Sequence, residues 1–160
     1  MDITLSGLIS SLVVVVIVMA MLGLIFDITL RVLNERQEYT SFYSEIQYIS
    51  DIIDNLFANS VSKIEEQDVT TNSIQIPFYK PTQQYNDVVT QKKLLQFNTA
   101  NKTLVFDGKI IAKVDKIGSI EFSATSTENS TIKFVIIKFR HKNNKWEYSL
   151  PMLSALSEAS

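Results

Sequence analysis

The chain has 160 residues, with 15 Lys and Arg against 17 Asp and Glu, so no global field recommends a nucleic acid or an acidic surface as partner. It contains no Cys, which excludes thiol catalysis, thiolate metal sites and disulfides. Only four Gly and three Pro occur beside plentiful Ile, Val, Phe, Tyr and Thr, a composition that leans towards strands, and the length suits an anchor plus one domain.

Residues 3–26 carry no charge. At about 1.5 Å per residue they give roughly 36 Å of helix, against a hydrocarbon core of about 30 Å. The core helix of a soluble protein would need a polar stripe to face water, and this run has none. A cleaved signal peptide opens with Lys or Arg and closes on a small-x-small site. Here the flank is Met1-Asp2, and the apolar run passes through Gly23, Leu24, Ile25 and Phe26 straight into a helical pattern. The sequence therefore predicts a retained transmembrane segment over residues 1–27. Arg31 and Arg36 follow it, interleaved with Asp27 and Glu35, and the positive-inside rule alone would put the remainder in the cytoplasm.

The helix continues past the membrane. After Phe26 no Gly or Pro appears until Pro77, and Tyr39, Phe42, Ile46, Ile49, Ile53 and Leu56 recur at helical spacing. Glu38, Ser41, Ser44, Gln47, Asp51 and Asn55 occupy the opposite face. This predicts an amphipathic continuation over residues 28–60, ending near Ala58, which lays those six apolar residues on the domain's own sheet. A coiled coil with a partner helix is the other reading of the stripe, and two and a half heptads are short for one. From near Thr4 to near Ala58 such a helix would be about 80 Å long.

Residues 61–153 read as an antiparallel β domain. After a polar joint at Glu65, Glu66, Gln67 and Asp68, the apolar residues Ile74, Ile76 and Phe78 alternate with Gln75 and Pro77, and Pro77 marks an edge strand. Residues 80–91 read as a surface loop. Strands are then expected over 93–98, 103–107, 110–114, 117–124, 132–139 and 146–150, and Asp107-Gly108 is a two-residue hairpin signal. The Ser- and Ala-rich stretch 154–160 is expected to be a flexible tail.

Little in this sequence carries chemistry. His141 stands alone among Arg140, Lys142 and Lys145, without the second His or carboxylate cluster that a metal needs, and is expected to be a solvated strand-end residue. Glu65, Glu66 and Asp68 lie in a joint with no apolar pocket to raise a carboxylate pKa for acid–base work, and their spacing does not match a calcium loop. No phosphate loop, nucleophile elbow or HExxH is present. Arg140, Lys142 and Lys145 form a small basic edge, read as protection of an edge strand rather than a nucleic-acid site. No catalytic residue, cofactor or metal is therefore expected, and no nucleic-acid partner.

The order of parts is a span, a continuous amphipathic helix, a joint and an antiparallel sheet. Together with the start Ile3-Thr4-Leu5-Ser6-Gly7-Leu8-Ile9, this resembles the type IV pilin and type II secretion pseudopilin superfamily. That family opens its mature chain with a phenylalanine-threonine-leucine-x-glutamate pattern; Ile3, Thr4 and Leu5 match its first three positions and Ser6 the variable one. The strand run over residues 95–139 is similar to the larger minor pseudopilins. The family glutamate, which offsets a neighbouring subunit's N-terminal amine, falls here on Gly7, a departure that suits a tip or initiating subunit. The resemblance implies a pilin-like α+β fold and a structural subunit assembling with other pilin-like subunits, with the lipid bilayer as its second partner. It implies a single pass through the cytoplasmic membrane and a domain outside the cytoplasm, against the arginine count. The helix-packing residues would be Leu5, Ser6, Gly7, Ser10 and Ser11, whose small-xxx-small pairs allow close approach. A tethered interaction domain of another envelope machine, and an anchored enzyme built on His141 and Glu65/Glu66, are the readings from other classes.

Overall fold

The computed structural model describes residues 2–61, 64, 66–80, 89–126 and 133–153, with the side chains at 2–4, 66, 89, 126, 133 and 153 excepted. The expected tail at 154–160 and much of the expected loop at 80–91 lie outside the described residues.

One helix, α1 (Asp2–Ala58), fills the N-terminal part of the chain. It stops at Ala58, where Asn59 N–H donates to the Asn55 carbonyl and Ser60 gives both its N–H and its hydroxyl to Phe57. These bonds satisfy carbonyls that a helix end otherwise leaves open. The chain divides into two compact units, residues 1–40 and 41–160, and α1 contributes to both. The described residues of the first unit all belong to α1, and its large apolar side chains are exposed from Leu5 to Leu33.

The second unit joins the end of α1 to eight antiparallel strands, after a 3-10 turn at Glu66–Asp68. Strands β1 (Val69–Thr70), β2 (Ser73–Lys80), β3 (Val89–Asn98), β4 (Thr103–Phe106) and β5 (Lys109–Lys113) form a meander in that order. Strands β6 (Ile117–Ser126), β7 (Lys133–His141) and β8 (Glu147–Leu153) form a second one. The expected single sheet is thus two, meeting where Phe122 N–H donates to the Thr71 carbonyl at 2.9 Å.

Turn chemistry sets the register of three hairpins among the described residues. Asp107 and Gly108 both take positive φ, 50° and 77°, and pair Phe106 with Lys109, as a primed two-residue turn requires. Between β3 and β4, the Asn98 side-chain oxygen accepts from Ala100 and Asn101 N–H. At the β7–β8 hairpin Asn144 has φ 54°, and His141 N–H donates to the Trp146 carbonyl. Beside it Gly118 is required by close approach, because a Cβ there would stand 2.8 Å from Lys142 Cα.

Pro77 does not mark an edge strand in the simple sense, because β2 lies between β1 and β3. The two residues of β1 pair only with Ser73 and Ile74, so β2 has no strand partner on that flank at Pro77. There the Pro77 carbonyl instead accepts from Val61 N–H at 3.1 Å. The missing donor of proline therefore costs no ladder bond.

The core gathers one stripe of α1 (Phe42, Ile46, Ile49, Ile53 and Phe57) with Ile74 and Ile76 of β2, Leu95 of β3, Leu104 of β4, Ile120 and Phe122 of β6, and Ile137 and Phe139 of β7. Each fully buried side chain of this size contributes about 1.5–3 kcal/mol. Val135, Ile137, Phe139 and His141 form the buried face of β7, while Phe134, Ile136, Lys138 and Arg140 are half-buried on the other.

Candidate assembly surface and its anchorage

The site that the sequence singles out is a surface rather than a pocket. Leu5, Ser6, Gly7, Ser10 and Ser11 all lie exposed on α1. No atom comes within 4 Å of a Cβ built on Gly7 or on Gly23, so both leave open space beside the helix backbone. The Ser11 hydroxyl donates to the Leu8 carbonyl at 2.9 Å, and Thr29 does the same to Ile25 at 2.8 Å. These two hydroxyls are thereby satisfied inside the helix. The described part of α1 reaches a mean hydropathy of 3.0 in its most apolar window, which is not buried. By length and composition it is a single N-terminal helix able to span a membrane.

Of the six residues expected to pack on the sheet, Phe42, Ile46, Ile49 and Ile53 are buried in the core and Leu56 is half-buried against it. Tyr39 is 48 % exposed. The stripe also includes Phe57, and Ile64 follows from the joint; neither was expected, because the polar run from Ala58 onward masks a pattern that persists for one more residue.

Glu45 was missed altogether. It stands beside the apolar stripe, and its carboxylate accepts from the N–H groups of Asp115, Lys116 and Ile117 at 3.0, 2.8 and 3.2 Å. A single side chain so closes the backbone of the β5–β6 connection against α1. Only a fold that brings residue 45 to residue 115 makes this visible, since nothing local in the sequence pairs them.

The structure overturns the solvated reading of His141. It ends β7 as expected, but it is 1 % exposed, and its ring packs edge-on against Phe42 at 5.2 Å and Trp146 at 4.8 Å. Its Nδ1 accepts from Asn143 N–H at 3.3 Å. The cause is strand alternation: His141 shares the buried face of Val135, Ile137 and Phe139. Asp68 likewise leaves the open joint assigned to it, being 5 % exposed and clasped through both oxygens by Lys92 Nζ at 2.7 and 2.9 Å. Glu65 and the Glu66 side chain lie outside the described residues.

The basic edge is offset by acids. Arg140 contacts Glu121 and Glu147, each at 3.4 Å, and Lys142 meets Asp115 at 3.4 Å. Lys145 Nζ lies 5.6 Å from the centre of the Trp146 ring. The Lys116 ammonium, with Lys142 behind it, holds the Asp115 carboxyl below its ordinary value. Hydrogen bonding from Lys138 does the same for Glu147, with Arg140 adding to it and partial burial opposing it. A small open depression of about 250 Å³ lies against Arg140, Asn144, Lys145, Trp146 and Glu147. Among the described residues no three His, Asp or Glu side chains are grouped to hold a metal.

No family model, curated protein or solved structure matches this chain.

Proposed function

We propose that this chain is a minor pilin- or pseudopilin-like structural subunit of a type IV filament or a type II secretion-type envelope machine. The observation that supports this reading is the division of labour along α1. Its first unit exposes an apolar surface from Leu5 to Leu33, while its later turns form one wall of the β domain's core. Such a helix stores a subunit in the cytoplasmic membrane, with the domain on the outer side, and later moves into a bundle of neighbouring helices. Lipid is as apolar as leucine, so association must gain from close packing, and the Ser6/Ser10 and Gly7/Ser11 pairs permit it. Gly7 in place of the family's glutamate points to a tip or initiating role rather than repeated addition to a shaft.

The test is Gly7→Leu and Ser11→Leu, made separately in the full chain and read by crosslinking to neighbouring subunits in the membrane. Both are expected to reduce assembly while the β domain keeps its unfolding midpoint; unchanged crosslinking in both would refute packing at this face. Replacing residues 3–26 by an unrelated span separates this reading from that of a tethered interaction domain. Function is lost if the helix assembles, and survives if the span only tethers.

A further inference from the structure

An ion pair sits inside the exposed apolar surface of α1. Arg31 Nη2 lies 2.9 Å from Asp27 Oδ2, one helical turn away, and both side chains are largely exposed. The pair does not end the apolar surface, because Ile28, Leu30, Val32 and Leu33 continue it with exposures between 44 and 59 %. Exposed apolar residues thus run from Leu5 to Leu33. Those 29 or so residues span about 43 Å at helical rise, beyond a hydrocarbon core of about 30 Å. The end of this surface, with the ion pair in it, therefore reaches past the hydrocarbon into the headgroup region of a bilayer about 40–45 Å thick in all.

Within the pair Nη2 approaches Oδ2, and both side chains stay largely exposed. A carboxylate accepts at both oxygens and a guanidinium carries five N–H donors, so each group can bind a second partner without releasing the first. Gly23, one turn before Asp27, leaves open space for another helix backbone. Copies of one chain insert with the same topology and therefore lie parallel. In a parallel pair, Asp27 of one helix and Arg31 of the other differ by four residues along the axis. That is about 6 Å, within reach of an arginine side chain. The motif is self-complementary, since the second copy offers the same two charges in return.

We propose that Asp27 and Arg31 form a reciprocal contact between two copies of this chain, Asp27 of each helix binding Arg31 of the other. This rests on the assembly reading above and names the partner and its polar contact. The contact fixes the axial register of neighbouring helices, which an uncharged surface leaves free to slide.

The test uses the full chain in phosphatidylcholine vesicles. Donor and acceptor dyes are placed at Lys109→Cys, and association is read by energy transfer. The wild type is expected to associate. Asp27→Arg alone and Arg31→Asp alone, each giving two like charges per helix, are expected to lower association about tenfold. An equal mixture of the two recovers wild-type association to within about twofold, because each copy then offers what the other lacks. Vesicle flotation checks insertion. If either reversed chain fails to insert, Asp27→Asn and Arg31→Gln take its place, and both are expected to weaken association. Single variants at the wild-type level mean that the pair only meets lipid headgroups, and they overturn the proposal while assembly stands. A mixture no better than its components also overturns it, leaving the contact within one helix. A wild type that shows no energy transfer above its dilution control overturns this contact between copies, while assembly with other pilin-like subunits stands or falls on the crosslinking of Gly7→Leu and Ser11→Leu.

Discussion

At the scale of single residues, Glu45 decides more than its exposed neighbours do. Its carboxylate takes three consecutive N–H groups of the connection into β6, two of them partly buried. Removing an acceptor while its donors stay buried costs about 1–3 kcal/mol. Glu45→Ala is therefore expected to lower the unfolding free energy by about that amount. It should also loosen amide protection at Lys116 and Ile117 selectively. Urea unfolding followed by Trp146 fluorescence, with hydrogen exchange at those two amides, checks both effects. Glu45 and His141 share a reason for having escaped the sequence. Each is a polar residue whose partners are 70 to 72 positions away or whose burial depends on which face of a strand turns inward. In β7 both faces carry apolar residues, Phe134 and Ile136 on one and Val135, Ile137 and Phe139 on the other. Composition could not choose between them, and the choice buried His141.

At the scale of elements, what the sequence showed follows the strength of local signals. The helix was legible from an uncharged run and a stripe at helical spacing, and its end near Ala58 from the loss of that stripe. The β4–β5 turn was legible because Asp107-Gly108 accepts the positive φ that few other pairs tolerate. Pro77 was legible at its own position, where β2 has no strand on that flank, whereas the pairing of Ser73 and Ile74 with the two residues of β1 was not written in the sequence. The second sheet depends even more on such distant relations, and across its strands runs a set of ion pairs. Glu121 meets Arg140, which meets Glu147, which takes Lys138 at 2.7 Å; beside the sheet, Lys116 and Lys142 flank Asp115. The Asp115 and Glu147 carboxyls titrate lower in the folded chain than their ordinary values. The unfolded state then binds protons first as pH falls, so the stability these groups supply is present at neutral pH and drains away through the acidic carboxylate range. The thermal midpoint should be flat above that range and fall within it. Asp115→Asn combined with Glu147→Gln should lower the neutral-pH midpoint slightly and shrink the acid-induced drop. Both groups are solvent-facing, so the effect is small and weakens further with added salt.

At the scale of the whole molecule, the question is where the second unit begins. The strand pattern alone would start it at the joint near residue 61, and the contacts start it at residue 41, inside α1. The difference is physical, because Phe42, Ile46, Ile49, Ile53 and Phe57 are core residues carried by the helix. At about 1.5–3 kcal/mol apiece they supply roughly 10 kcal/mol, which is the size of a domain's entire margin of about 5–15 kcal/mol. A chain of residues 41–160 is therefore expected to fold in solution without detergent, with a cooperative urea transition and a dispersed amide spectrum. A chain of residues 61–160 keeps every strand yet lacks the five core residues that α1 supplies, and is expected to aggregate or to stay unfolded. Adding a peptide of residues 41–60 in trans should restore the transition to the shorter chain at a concentration set by its affinity. If residues 61–160 fold cooperatively alone, α1 is a cover and not a wall, and the long helix could then be exchanged for any tether without loss to the domain.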